Sequence, residues 1–229
     1  MRICDNIKRI RDMIAQAALR AGRNPDEIKL IAASKAKTPE LIREAVAAGV
    51  DAVGENRVQE MVSKISQGAY EGTPLHFIGH LQKNKVKHVV GQCDLIQSVD
   101  SLELIKLIDK RAKMYGICQD ILLQVNIGKE PQKKGFLPEQ IEEIIDLAKT
   151  YTGINIKGLM AIPPIALKKG DNRIYFEKMN KLYVDIKQKR YDNIHMNYLS
   201  LGMSGDFTDA IISGSNMVRI GTAIFGSRV

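Results

Sequence analysis

Eight short apolar runs, each followed by a stretch of helical spacing, constrain this chain more than any other feature. The strand-like runs are Lys29 to Ser34, Ala52 to Gly54, Leu75 to Gly79, Leu95 to Val99, Ile121 to Ile127, Ile156 to Ile162, Asn197 to Gly202 and Met217 to Gly221. Between them the pattern predicts helices at Pro39 to Ala48, Arg57 to Gln67, near Asn84 to Val90, Ser101 to Tyr115, Pro138 to Tyr151, Asn172 to Arg190 and Asp206 to Ser213, with a short tail from Thr222 to Val229. A further amphipathic stretch precedes the first strand, with Ile3, Ile7, Ile10, Ile14, Ala17 and Ala18 on one face and Gly22 as its stop. Strands that alternate with helices build a parallel sheet, and eight of them close a barrel. The expectation is therefore an α/β chain folded as a single (β/α)8 TIM barrel over residues 1–229, with the extra N-terminal helix filling the outer ring where the tail is short. An open doubly wound sheet is the alternative, but no GxGxxG follows any strand. Pro163-Pro164 and Lys168 to Asn172 read as a loop after strand six, not a domain boundary.

A barrel gathers the residues just past each strand at one face. Strand one, Leu30-Ile31-Ala32-Ala33-Ser34, delivers Lys35 there, ahead of a helix with Thr38 as its cap and Pro39 at its first position. A lysine that emerges from an apolar wall loses its proton more cheaply than one in water, and the free amine attacks aldehydes. With 34 lysines and arginines in 229 residues, a solvated surface lysine is the competing reading. Strand two offers Glu55 and Asn56, strand three His80 with Gln82 and Asn84, strand four Ser98 and Asp100, strand five Asn126 followed by Lys129, Glu130, Lys133 and Lys134. For Asn56 and Asp100 a helix cap is an equal reading. Strands seven and eight are followed by Met203-Ser204-Gly205-Asp206 and by Gly221-Thr222. Glycine permits close backbone approach and the hydroxyls donate without adding charge, which suits a phosphate; tight turns and caps are the alternative. A lysine facing a phosphate cup describes a site for pyridoxal 5'-phosphate (PLP), held as an imine on the lysine.

Composition narrows the rest. The net charge of +8 could signal nucleic acid, but the basic clusters Lys83-Lys85-Lys87-His88, Lys168-Lys169 and Lys187-Lys189-Arg190 stand on or beside predicted helices, without interleaved aromatics. A solvated helix face is expected, with phosphate-bearing small molecules as a second use of the positive field. Cys4, Cys93 and Cys118 form no CxxC pair, which points to a reducing compartment and to neither disulfides nor a metal site. Charged residues interrupt Met1 to Gln16, so no signal peptide or membrane span is expected and the protein should be cytoplasmic.

Taken together, Ala33-Ser34-Lys35, Gly54-Glu55-Asn56 with Val58-Gln59-Glu60, His76-Phe77-Ile78-Gly79 with Leu81-Gln82 and Asn84-Lys85, Ser98-Val99-Asp100-Ser101, Gly158-Leu159-Met160, and Leu199 to Ser204 with Gly214-Ser215 and Val218 to Gly226 resemble the pyridoxal phosphate homeostasis protein family, from about residue 5 to the end. The resemblance implies a barrel like the N-terminal domain of alanine racemase, with PLP on Lys35. It also implies phosphate contacts from Ser204, Gly221 and Thr222, Asn56 near the cofactor, and Arg219 close to the pyridine nitrogen or the phosphate. Leu75 and Arg57 depart from the tryptophan and tyrosine often found in the family and leave the cofactor positions intact.

Proteins of this family are regarded as vitamin B6 carriers and regulators without an established catalytic activity. An arginine at the ring nitrogen discourages its protonation and so weakens the electron sink. In alanine racemase a second base, a tyrosine, comes from another domain, so half of the acid-base machinery is expected to be absent here unless a partner chain or one of the seven tyrosines supplies it. The expectation is a monomeric carrier that serves intracellular PLP homeostasis and hands the cofactor to PLP-dependent apo-enzymes, with no catalytic or metal residues, no nucleic acid and no membrane. A PLP-dependent amino-acid racemase or lyase is the alternative.

Overall fold

In the computed structural model, which describes residues 2–168, 170–189 and 194–226, the eight runs form one closed barrel whose strands follow in sequence order. They are β1 (Lys29–Ala33), β2 (Ala52–Glu55), β3 (Leu75–Phe77), β4 (Leu95–Val99), β5 (Gln119–Val125), β6 (Ile154–Ala161), β7 (Ile194–Ser200) and β8 (Met217–Ile220). All pairings are parallel, and β1 closes the ring against β8 with Ile31 opposite Arg219. The helices are α1 (Ile3–Arg20), α2 (Pro39–Ala47), α3 (Val58–Ile65), α4 (Leu102–Met114), α5 (Ile141–Ala148), α6 (Arg173–Gln188), α7 (Phe207–Ile212) and α8 (Thr222–Phe225).

Side chains alternate across each strand, and the two faces have different tasks. Leu30, Ala32, Val53, Phe77 and Ile96 point outward into the large core beneath the helices, whereas Ile31, Ala52, Leu95, Leu122, Met160 and Met217 make a small apolar plug inside the barrel. Ala52, Leu95 and Met217 open their strands. The plug therefore fills the N-terminal half of the barrel and leaves the other half to polar groups. The stripe Ile3, Ile7, Ile10, Ile14 of α1 is buried against α2, α7 and α8. The Asn6 amide donates to the Ile224 carbonyl at 2.8 Å, so the leading helix takes the expected place in the outer ring.

Several local expectations are corrected. The segment after β3 is a 3-10 helix, Lys83–His88: its apolar spacing, Val86, Val89 and Val90, is buried but makes a single turn, too short to propagate an α-helix. The stretch from Pro138 opens as a 3-10 turn, Pro138–Gln140, before α5. Thr38 occupies the N-cap of α2 but makes no capping bond. Arg57, not Asn56, precedes α3. Ser101, not Asp100, caps α4, accepting from the Leu104 N–H at 3.3 Å. Met1, Lys169, Arg190 and the tail from residue 227 lie outside the described residues. No described helix is long and apolar enough to cross a membrane.

Candidate functional site

Lys35 rides on a tight turn at the exit of β1. The Lys37 N–H donates to the Ser34 carbonyl at 3.0 Å, which puts Lys35 and Ala36 at the two central positions. Ala36 has φ of +57°, the value that glycine or asparagine normally supplies at the third residue of such a turn. The turn is gripped from β2 and α3. Ser34 donates from its hydroxyl to Glu55 Oε1, Lys64 Nζ donates to the same oxygen at 2.6 Å and to the Ser34 carbonyl at 3.1 Å, and the Tyr70 hydroxyl is the third donor to that oxygen, at 3.1 Å. The Ala36 N–H donates to Glu60 Oε2 at 2.9 Å. Burial alone would raise the Glu60 carboxyl, but the Ala36 N–H, Lys64 and Arg57 together hold it below its usual range.

Lys35 itself is half-buried and opens onto a cavity of about 360 Å³. The same cavity is lined by Asn56, Ser204, Arg219, Gly221 and Thr222, with Ile78, Ile162 and Met203 as apolar wall. Residues from the exits of β1, β2, β7 and β8 thus meet in one concavity of the size of ligand sites. Two glycines allow the close approach. A Cβ at Gly79 would sit 2.1 Å from the Asn56 carbonyl oxygen, and one at Gly221 would come to 3.3 Å from that of Ala33. Ser204 Oγ accepts from the Ala223 N–H at 3.3 Å, which leaves its own O–H to donate.

Arg219 is buried, and its inward direction follows from its place opposite Ile31 in the closing pair. Its Nη1 donates to the Ser200 carbonyl at 2.8 Å and to the Ser200 hydroxyl, and its Nη2 to the Ala161 carbonyl at 2.9 Å. Burial lowers its pKa to about 10, against a smaller opposing pull from Asp206, so it stays charged at neutral pH. Among the described residues no carboxylate pairs with it. Behind it runs a polar chain across the barrel: Ser200 Oγ donates to Gln97 Oε1 at 2.7 Å, and Gln97 Nε2 donates to His76 Nδ1 at 2.9 Å. Burial lowers His76 to about 4, so its ring is neutral and accepts at Nδ1.

Other strand-end residues do not reach this cavity. Glu55 is fully buried beneath it. His80 and Asp100 pair with each other at 3.1 Å, the Ser98 hydroxyl donates to the Gly79 carbonyl, and the Asn126 amide ties its own loop through the Glu130 and Lys133 carbonyls at 2.9 and 3.2 Å. Lys129 and Lys133 pair with Glu139 and Glu130. Of the two departures from the family pattern, Leu75 is buried and Arg57 turns to Glu60 at 3.2 Å; neither lines the cavity. Sequence reasoning missed Lys37, which does line it, and the supports Glu60, Lys64, Tyr70, His76, Gln97 and Ser200. For Lys64 a signal existed: it stands three residues after Met61 and six after Val58, in the buried stripe of α3.

The family model for the N-terminal domain of alanine racemase matches residues 3–229. A pyridoxal phosphate homeostasis protein of Aquifex aeolicus is 41% identical over 228 residues, which cover 100% of this chain and 99% of that protein. Among solved structures, an unknown protein from Bifidobacterium adolescentis superposes with a TM-score of 0.92 at 36% identity, covering 97% of this chain and 94% of the other. PipY of Synechococcus elongatus, solved with PLP bound, superposes with a TM-score of 0.83 at 30% identity, covering 98% and 100%.

Proposed function

The chain belongs to the alanine racemase N-terminal domain family and, within it, to the pyridoxal phosphate homeostasis proteins; from that premise we propose that it binds PLP in the Lys35 cavity, as an imine on that lysine, and serves as an intracellular PLP carrier. The observation that carries the reading is the convergence of Lys35, Asn56, Ser204, Arg219, Gly221 and Thr222 on one cavity. The donor set fits the group. A buried cation without a carboxylate partner suits an electron-rich ring nitrogen or an anion, and uncharged hydroxyls with close-approaching backbone suit a phosphate. PLP, when bound, supplies an aldehyde that condenses with an amine and releases water.

Each residue then has a task. Lys35 presents its amine from a turn that Ser34 and Ala36 hold at both sides. Ser204 and Thr222 donate to the phosphate, and Gly221 lets the backbone come close. Arg219 reaches the ring nitrogen: its guanidinium lies across the Ser200 and Ala161 carbonyls, inside the strand ends, whereas Ser204 and Thr222 stand beyond them. A charged arginine there keeps the ring nitrogen unprotonated, which disfavours carbanion chemistry and supports a carrier over a racemase. A monomer is the proposed state. Free Cys4, Cys93 and Cys118 support a reducing, cytoplasmic setting. PLP-dependent apo-enzymes are the proposed recipients.

The test is visible absorbance of the protein mixed with PLP, wild type beside Lys35→Ala, then borohydride reduction and peptide mass mapping. A yellow wild type with its adduct on Lys35, and a Lys35→Ala variant without that band, is the expected result. An adduct spread over surface lysines refutes the site. Steady α-proton exchange of an amino acid in deuterated water, lost in Lys35→Ala, would make the protein an enzyme and overturn the carrier reading.

A further inference from the structure

The turn Ser34 to Lys37 has an unfavourable residue at its centre. A non-glycine residue at φ of +57°, as Ala36 is, costs on the order of 1–2 kcal/mol relative to an ordinary conformation. The chain nevertheless places an alanine there, next to the lysine, so something outside the turn holds it.

Two side chains of α3 do so. Glu60 accepts the Ala36 N–H at 2.9 Å, and Lys64, four residues on and therefore on the same helix face, donates to the Ser34 carbonyl at 3.1 Å. The Lys64 ammonium also lies 2.6 Å from Glu55 and 3.5 Å from Glu60. It thereby stands between the two carboxyl groups and ties them together beneath Lys35. Arg57 reaches Glu60 from the solvent side at 3.2 Å. Ser34 and Ala36, the residues on either side of Lys35, are thus both tied to one charged cluster, and the amine between them has a fixed origin.

We infer that Glu60 and Lys64 are positioning residues for Lys35: they hold the left-handed turn and set the direction from which the amine meets an aldehyde. Neither lines the cavity. The inference rests on the PLP reading for its chemical consequence and stands independently of it for the turn itself. In the covalent step the Lys35 nitrogen bonds the aldehyde carbon, and the aldehyde oxygen departs as water, so no oxidant or further reactant enters.

The two levels are tested separately. In the ligand-free protein, hydrogen exchange of the Ala36 amide should accelerate at least about tenfold in Glu60→Ala, the factor that corresponds to about 1.4 kcal/mol. With PLP added, the absorbance rise that reports adduct formation should slow by about tenfold in Glu60→Ala, and borohydride mapping should show loss of selectivity for Lys35. Ala36→Gly in the Glu60→Ala background should return the rate to within about threefold of wild type, because glycine adopts the turn without outside support. Rescue by a residue that adds no charge and no contact is not expected of a carboxylate acting by its charge on Lys35 or on the cofactor.

A Glu60→Ala protein with wild-type Ala36 exchange overturns the grip, and a wild-type adduct rate in that variant overturns its consequence for Lys35. A double variant as slow as Glu60→Ala also overturns the inference. Should Glu60→Ala alone fail to fold, a folded double variant with near wild-type rate supports the inference, and a double variant that is also unfolded or slow refutes it. If wild type itself places no adduct on Lys35, the PLP reading falls, while the Ala36 exchange result still decides whether α3 holds the turn.

Discussion

Replacing His76 with glutamine isolates the energetics of the polar chain inside the barrel. The imidazole is buried on β3, accepts from Gln97 at 2.9 Å, and has its pKa lowered from 6.5 to about 4. The unfolded chain takes up a proton near the ordinary histidine value, whereas the folded protein resists until about pH 4. Between those values the unfolded state binds more protons, so stability falls as the pH falls. Relative to pH 7.5, the loss is about 2 kcal/mol at pH 5 and approaches about 3 kcal/mol near pH 4. Glutamine retains a side-chain amide toward Gln97 and does not titrate. Urea unfolding followed by circular dichroism at pH 7.5, 6.5, 5.5 and 5 should therefore give a wild-type advantage that shrinks by about 2 kcal/mol across the series. Carboxylates held low, such as Asp51 and Glu60, lose stability as the pH falls through the carboxylate range in both proteins and cancel in the difference. Parallel stability profiles for the two proteins would refute a neutral, hydrogen-bond-accepting His76 and the polarity assigned to the chain that ends at Arg219.

Two other substitutions probe the scaffold around Lys35. Tyr70→Phe removes one of three donors on the buried Glu55 oxygen and should cost about 1–3 kcal/mol in urea unfolding at pH 7; an unchanged midpoint would mean that Ser34 and Lys64 alone satisfy the carboxylate. Gly79→Ala places a Cβ that would lie 2.1 Å from the Asn56 carbonyl oxygen, so one backbone must move. The apparent affinity for PLP, read by absorbance titration, should fall by about tenfold or more, and an unchanged affinity would remove Asn56 from the site.

The barrel was legible because its strands are short, apolar on both faces and separated by amphipathic helices, a pattern with few other solutions. The 3-10 form of Lys83–His88 was not, since Val86, Val89 and Val90 repeat at a spacing that an α-helix shares and one turn cannot tell the two apart. Lys35, Ser204, Gly221 and Thr222 could be singled out from position alone, as polar or small residues just beyond strands. Asn56 and Arg219 needed family resemblance: an asparagine before a helix looks like a cap, and an arginine within Val218-Arg219-Ile220 has no visible direction until β8 pairs with β1. The same holds for His76, Gln97 and Ser200, whose inward placement depends on the strand register of a closed ring. Glu60 and Lys64 were hidden for a different reason. Spaced i, i+4 with opposite charge, they look like an ordinary solvent-facing helix pair, and the one sequence signal against that reading is the place of Lys64 in the Val58, Met61 stripe, which its burial bears out.

The seam between β1 and β8 has a consequence for how the protein is made. During synthesis α1 and β1 meet α2 and β2 soon after they emerge, whereas their other ring partners, α7, β8 and α8, lie more than 170 residues on, in the last part of the chain. Until β8 has left the ribosome, the isoleucine stripe of α1 has no complete cover and one edge of β1 stays unpaired, a surface for chaperones or for premature aggregation. Lys35 follows β1, and Thr222 follows β8. The cavity they share straddles the last joint to close, so a nascent chain exposes its lysine well before it owns a pocket.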